Sequence, residues 1–269
     1  MWKITTRDFT LKEPAKEPSS AIMDANDKLK QSRQLPPERA RKVLVIDIGG
    51  SHIKVYAKGR RQPIKIDSGP AMTPKKMIEA VRTAVDGWKY DLVSLGYPGP
   101  VVHGKPLHNP VNLGSGWVGL DFQNAFGRPT KIINDAAMQA LGSYRGGRML
   151  FLGLGTGLGS ALIVDGVLEP MELAHLPYRK GKTYEDYIGE AALKRRGKKK
   201  WIQSVFDVVA KLKNALQADY VVLGGGNAKR LTTLPPNTFR GNNENARIGG
   251  VRLWNPSMRR LQATISRAN

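Results

Sequence analysis

The stretch Val43-Leu-Val-Ile-Asp-Ile-Gly-Gly-Ser-His-Ile-Lys-Val-Tyr56 decides how the rest of the chain reads. Residues 43–48 are an apolar run holding a single acid, the pattern of a buried strand. Gly49, Gly50 and Ser51 turn the chain, residues 53–57 give a second strand, and 63–67 a candidate third. Working forward, Thr73 and Pro74 supply a helix cap and first helical position. Met77, Ile78, Val81, Val85 and Trp88 then fall on one helical stripe. Residues 91–97 form another strand, and 131–133 lead through Asn134 and Asp135 into a helix with Ala137, Ala140, Leu141 and Tyr144 inward. The second half repeats the theme. Residues 149–155 and 160–164 are strands about a Gly-Thr-Gly turn, with 166–169 a candidate third. Helices are predicted over about 184–194 and 199–218, the latter with Trp201, Val205, Val208, Leu212 and Leu216 at three- or four-residue steps. Residues 220–226 close with a strand and a glycine turn. Two halves of this kind predict an α/β protein of two lobes, 43–133 and 134–254, with a ligand cleft between them. Residues 1–42, basic and proline-punctuated, read as a flexible extension with a short helix around 22–29, and 255–269 as a loose tail.

Composition bounds the function. Of 269 residues, 41% are apolar, which excludes a wholly disordered protein. There is no cysteine, which excludes a disulfide framework, thiolate-bound zinc and a cysteine nucleophile and fits a reducing compartment. No apolar stretch approaches the length needed to span a bilayer, and the N-terminus lacks the apolar core of a signal peptide. The chain therefore reads as soluble and cytoplasmic, with no membrane partner. Forty-three Lys and Arg against 22 Asp and Glu leave a formal charge of +21. Such a surface favours polyanions, or else reflects a general solubility adaptation. Nucleic acid is the less favoured polyanion, because zinc-finger spacing, RNP aromatics and basic heptads are all missing.

Three glycine turns follow strands: residues 49–51, 153–159 and 224–226. Glycine lets backbone approach a phosphate and expose successive N–H donors, although each turn could equally be an ordinary strand end. Two familiar phosphate motifs fail. Gly181-Lys-Thr183 lacks the P-loop's leading glycine because Leu176 stands there, and the 153–159 glycines recur every two residues, unlike a dinucleotide fingerprint. Asp135, at a strand-to-helix switch, is either a helix cap or a general base. His175, three residues after Glu172, is either a structural histidine or a hydroxyl-binding one.

These residues together resemble a family. Asp47-Ile-Gly-Gly-Ser-His-Ile-Lys54 is similar to the first phosphate motif, D-x-G-G-T-x-x-K, of the ROK sugar kinases (repressors, open reading frames, kinases), members of the actin-like ATPase superfamily. Tyr97-Pro-Gly-Pro100, Asn112 and Gly116-Trp117 resemble the segment leading to the sugar site. Asn134-Asp135-Ala136 is similar to the catalytic N-D-A, residues 154–160 to the second phosphate motif, Glu172-Leu-Ala-His175 to the E-x-G-H sugar motif, and Leu223-Gly-Gly-Gly226 to the adenosine-side motif. The order matches from about Val43 to Trp254. Departures are Ser51 for Thr, which keeps the hydroxyl, and Ala174 for Gly, which adds a methyl near the sugar pocket. Within the family the likeness runs to the polyphosphate/ATP-dependent glucokinases, which also lack the cysteine-rich zinc motif and carry an acidic pair on a nearby helix, as Glu185-Asp186 do here.

The resemblance implies a two-lobed, ribonuclease H-like fold and a magnesium-dependent transfer from polyphosphate or ATP to the 6-hydroxyl of a hexose, glucose first, with no zinc. In that reading Asp135 is the general base and Asp47 holds Mg²⁺ through water. Gly49, Gly50, Ser51, Lys54, Gly155, Thr156 and Gly157 bind phosphate, and Gly224, Gly225 and Gly226 bind adenosine or donor. Asn112, Asn134, Asp135, Glu172, His175 and Glu185 bind the sugar. Family members are often dimers, so a homodimer is expected. The six cations in residues 194–200 are either a solvated face or a track for a polyanion. The alternative function is a non-catalytic sugar- or polyanion-binding regulator on the same scaffold; retention of both Asp47 and Asp135 favours chemistry.

Overall fold

The computed structural model describes residues 41–56, 62–242 and 244–255. The predicted helix around 22–29, the rest of the extension through residue 40 and the tail from 256 lie outside the described residues.

Strands β1 (Val43–Ile48), β2 (His52–Tyr56) and β3 (Ile64–Asp67) run antiparallel in sequence. Helix α1 (Pro74–Ala84) then crosses to β4 (Leu92–Tyr97), which is parallel to β1. Local chemistry places α1. The Thr73 side chain accepts the Lys76 N–H at 3.4 Å, Pro74 sits at a first-turn position where no N–H partner is needed, and Met77, Ile78 and Val81 form the buried stripe. The hairpin β5 (Val101–Val102) and β6 (Lys105–Pro106) and the short helix α2 (Phe122–Phe126) lead into β7 (Thr130–Asn134), parallel to β4. The first sheet therefore has the order β3-β2-β1-β4-β7.

Helix α3 (Asp135–Ser143) follows without a break, and then the plan recurs. Strands β8 (Arg148–Leu154), β9 (Leu158–Val164) and β10 (Val167–Met171) are antiparallel neighbours. A hairpin, β11 (Pro177–Arg179) and β12 (Lys182–Thr183), precedes α4 (Glu185–Ile188), α5 (Glu190–Arg196) and α6 (Lys198–Ala215). Strands β13 (Tyr220–Gly224) and β14 (Thr238–Arg240) complete a second sheet, β10-β9-β8-β13-β14, parallel from β8 onward, before α7 (Asn245–Arg252). The two sheets share one strand order. In each, the strand before the glycine turn is flanked on both sides, which is why 43–48 and 149–154 read as continuous apolar runs.

Helix α3 lies between the sheets, and its composition explains how. Ala136, Ala137, Ala140 and Leu141 pack on Met149, Phe151, Ala161 and Ile163 of the second sheet, while Met138 packs with Val45 and Tyr56 of the first. Small side chains let both sheets approach one helix. Helix α7 then returns to the first sheet. A methyl on Gly142 would stand 1.9 Å from the Asn245 carbonyl oxygen, and one on Gly249 would stand 1.8 Å from that of Met138, so the backbones of α3 and α7 touch. The buried Ser94 hydroxyl donates to the Gly250 carbonyl at 2.7 Å and accepts from the Trp254 indole at 2.9 Å, fastening α7 to β4.

Several details depart from the sequence expectation, among them the unforeseen hairpins β5–β6 and β11–β12 and the helix α2. The helix expected over 184–194 is two helices, broken at Gly189, whose ψ of 171° is extended. Strand β14 and helix α7 were not foreseen. The Gly-Gly pair inside α7 lowers helix propensity, and the helix forms because those glycines admit close packing. None of the described helices is long and apolar enough to cross a membrane.

Candidate active site

Asp47 belongs to β1 and is 5% exposed. Burial pushes its carboxyl up, and the Lys54 ammonium, 3.3 Å from Oδ2 on the facing strand, opposes that shift. Lys54 thus points toward Asp47, with its side chain still partly exposed. The turn between them is closed by the Gly49 N–H donating to the His52 carbonyl at 3.0 Å, and the Ser68 hydroxyl donates to the Gly49 carbonyl at 2.6 Å. Asn112 stands directly against this turn: a methyl on Gly50 would lie 3.0 Å from its Cβ. Below it, the buried Trp117 donates its indole N–H to the Gly114 carbonyl at 2.7 Å and its backbone N–H to Asn109 at 3.0 Å, holding the 109–117 loop.

The cap of α3 is Asn134 and not Asp135. Asn134 Oδ1 accepts the N–H groups of Ala136 and Ala137 at 2.9 and 3.2 Å, and Nδ2 donates to the Gly99 carbonyl at 3.1 Å. Asp135 is the first helical residue; its Oδ1 accepts the Ala136 N–H at 2.7 Å, leaving Oδ2 uncommitted by that bond. Its carboxyl is pushed up to about 7, first by burial and then by the charge of Asp47, against the lowering effects of the Ala136 N–H and Lys54. A carboxylate so placed ionises near neutrality, as a general base requires.

In the second half, the Gly155 N–H donates to the Gly157 carbonyl at 3.1 Å, and Thr156 is exposed at the tip. Glu185 Oε2 accepts the Leu158 N–H at 3.1 Å and lies where a side chain on Gly157 would be, 2.3 Å from its methyl position. Glu185 is therefore joined to the second glycine turn. It also stands near Glu172, whose carboxyl is raised by burial and by Glu185 and lowered by His175. Glu172 and His175 are exposed and 3.9 Å apart. A methyl on Gly159 would lie 2.7 Å from the Ala136 Cβ, so the second turn's strand abuts the residue next to Asp135.

The third glycine turn meets the second. Gly225 has φ +79°, the Asn227 N–H donates to the Leu154 carbonyl at 2.9 Å, and Asn227 Nδ2 donates to that of Gly155 at 3.2 Å. Gly224, Gly225 and Gly226 line a cleft of about 270 Å³ together with Asp47 and Lys54. Gly155, Thr156 and Gly157 are not among its lining residues and adjoin it through Asn227. Lys229, Arg240 and Asn242 also line the cleft, and the sequence reading missed them. A lone cation outside any motif gives no signal until the fold brings it to a site. Half of the 194–200 run is occupied structurally: Lys194 pairs with Glu190 at 2.9 Å, Arg195 donates to the Asp186 carbonyl at 2.7 Å, and Arg196 donates to Ser204 at 2.8 Å.

The sequence model of the ROK family matches residues 43–169. A polyphosphate glucokinase of Mycobacterium tuberculosis is 29% identical over 210 residues, covering 69% of this chain and 77% of that protein. One from Mycobacterium leprae is 30% identical over 211 residues, covering 69% and 63%. Among solved structures, an inorganic polyphosphate/ATP-glucomannokinase from Arthrobacter sp. strain KM superposes with a TM-score of 0.66 at 24% identity, over 83% of this chain and 99% of that one. A ROK family glucokinase from Streptomyces griseus, in complex with glucose and AMPPNP, gives a TM-score of 0.61 at 17% identity, over 79% and 98%. The chain is thus similar to the ROK family over residues 43–169 and shares the actin-like ATPase fold of the solved ROK sugar kinases.

Proposed function

We propose that the chain is a sugar kinase that transfers the terminal phosphoryl group of polyphosphate, ATP or both to the 6-hydroxyl of a hexose, with glucose first. One observation carries the reading. A cleft holding Asp47, Lys54 and the 224–226 turn lies within electrostatic reach of a half-buried carboxylate, Asp135, that senses the charge of Asp47 and ionises at about 7. The names of the mycobacterial relatives support the choice of polyphosphate and glucose.

In this reading the donor lies in the cleft along the third glycine turn. Lys54, Lys229 and Arg240 offset its charge there. The sugar lies between Asn112 and the Glu172–His175 pair, whose side chains both donate and accept, as an array of hydroxyls requires. Asn134 keeps one amide hydrogen for the same purpose, its other polar groups being spent on the helix cap and Gly99. Asp135 accepts the proton of the acceptor hydroxyl as that oxygen bonds to the terminal phosphorus, and the bridging oxygen leaves with the shortened donor.

Asp47 fits the way magnesium is held by proteins, with one or two carboxylates completed by phosphate and water. It is a buried acid whose charge Lys54 only partly offsets, and the described residues contain no cluster of three acids or histidines that would suggest an all-protein cage. When bound, the ion would be held by Asp47 through water and would neutralise charge on the donor phosphates.

The test is a coupled assay over a panel of hexoses with ATP and with polyphosphate. Formation of glucose 6-phosphate supports the reading. Sugar binding without turnover from either donor favours the regulator instead.

A further inference from the structure

A second hollow, of about 220 Å³, adjoins the donor cleft: Arg240, Gly241 and Asn242 line both. Its other charged lining residues are Arg145 and Arg252, and no carboxylate lines it. Arg252 is committed to structure, donating to the carbonyls of Leu141 and Tyr144 at 2.7 and 3.0 Å and so neutralising the negative end of α3. Arg145 is exposed and makes no ion pair among the described residues; its guanidinium rests over the Phe239 ring at 5.7 Å. Phe239 in turn meets Tyr220 edge-on, with centroids 5.8 Å apart. Two aromatic residues line this hollow: Phe239 carries the Arg145 guanidinium over its ring, and Tyr144 packs against the core with its hydroxyl donating to the Gly147 carbonyl at 3.0 Å. Cations line both hollows: Lys54 and Lys229 the cleft, Arg145 the second hollow, and Arg240 the segment they share, where one guanidinium nitrogen also donates to the Leu231 carbonyl.

A nucleotide carries its charge at one end. An inorganic polyphosphate repeats it at every unit, and a series of guanidiniums, which bind phosphate oxygens in a bidentate fork, matches that repetition. We propose that this hollow is a second phosphate-binding subsite, in which Arg240 and Arg145 hold the part of a long polyphosphate donor lying beyond its reacting end. The inference rests on the polyphosphate reading of the donor cleft.

The test compares the full-length chain with its Arg145→Gln variant, using tripolyphosphate, polyphosphates of tens and of hundreds of units, and ATP as donors. The subsite predicts a loss in kcat/KM of about fivefold for the long chains, with tripolyphosphate and ATP unchanged within about twofold. Arg145→Lys should recover part of the loss. The long-chain KM should also rise more steeply with salt than that of tripolyphosphate, and Arg145→Gln should narrow the gap. An equal response of all donors to Arg145→Gln, or none, overturns the subsite while leaving the kinase reading intact. A wild-type chain active with ATP and inert with every polyphosphate overturns the donor reading, and the subsite with it.

Discussion

Asp47 and Asp135 are coupled across the first sheet: Asp47 pairs in register with Gly96, and Gly96 pairs with Ile133, two residues before Asp135. The row crosses β4 at a glycine, where a methyl would lie 3.4 Å from Asp47 Oδ1 and 3.2 Å from the Met138 Cε. One acid raises the other. The cleft thus contains one carboxylate and, within its electrostatic reach, a second one poised near neutrality.

The pH profile follows from this pair. Asp135 must be ionised to accept a proton, so kcat/KM should rise through pH about 7 and level off above it. Lys54 lowers that midpoint, so Lys54→Met should move the rising limb to higher pH, whereas Lys54→Arg should leave it in place even if activity falls. A pH–rate series on the three proteins checks both statements.

Stability should respond in the opposite sense. The folded carboxyl of Asp135 holds its proton more tightly than the unfolded one, whose pKa is about 3.9, so folding loses stability as pH rises from about 4 through about 7. Asp135→Asn removes this penalty. It should be more stable than wild type at pH 8, by on the order of 1–2 kcal/mol, and the difference should vanish below about pH 4. Thermal melts across pH measure it.

Glu185 accepts the Leu158 N–H beside the 155–157 glycine turn and raises the carboxyl of Glu172. Glu185→Ala should therefore loosen residues 155–158 and raise the donor KM by about fivefold or more, with the fold retained. Donor saturation curves at fixed sugar provide the readout.

The crossing of α3 and α7 should be intolerant of a single methyl. Gly249→Ala places Cβ on the Met138 carbonyl, with backbone on both sides and nothing flexible to yield, and should cost about 2 kcal/mol or more. Denaturant titration against an exposed control such as Gly119→Ala, itself strained by a φ of +80°, separates clash from backbone strain.

Much of this was legible before any coordinates. The strands about each glycine turn, the α1 stripe and the α6 stripe all carry periodicity or turn chemistry that acts locally. Residues 245–252 carried neither: their helix exists because Gly249 and Gly250 fit against Met138 and Val45, contacts with residues far away in sequence. The same limit governed the site. Asp47, Asp135 and the glycine turns sit in recognisable motifs, whereas Lys229, Arg240 and Arg145 acquire meaning only from the hollows they line. The choice between cap and base at Asp135 also needed geometry, because Asn and Asp are equally good caps and only the hydrogen bonds of Asn134 assign that role.

The central claim is that Asp135 takes the proton from the acceptor hydroxyl. Calorimetric glucose binding and steady-state turnover should be measured side by side on Asp135→Asn. The account predicts a dissociation constant within about threefold of wild type and a kcat lower by about a hundredfold to ten-thousandfold. A variant that still turns over within about tenfold of wild type would contradict it.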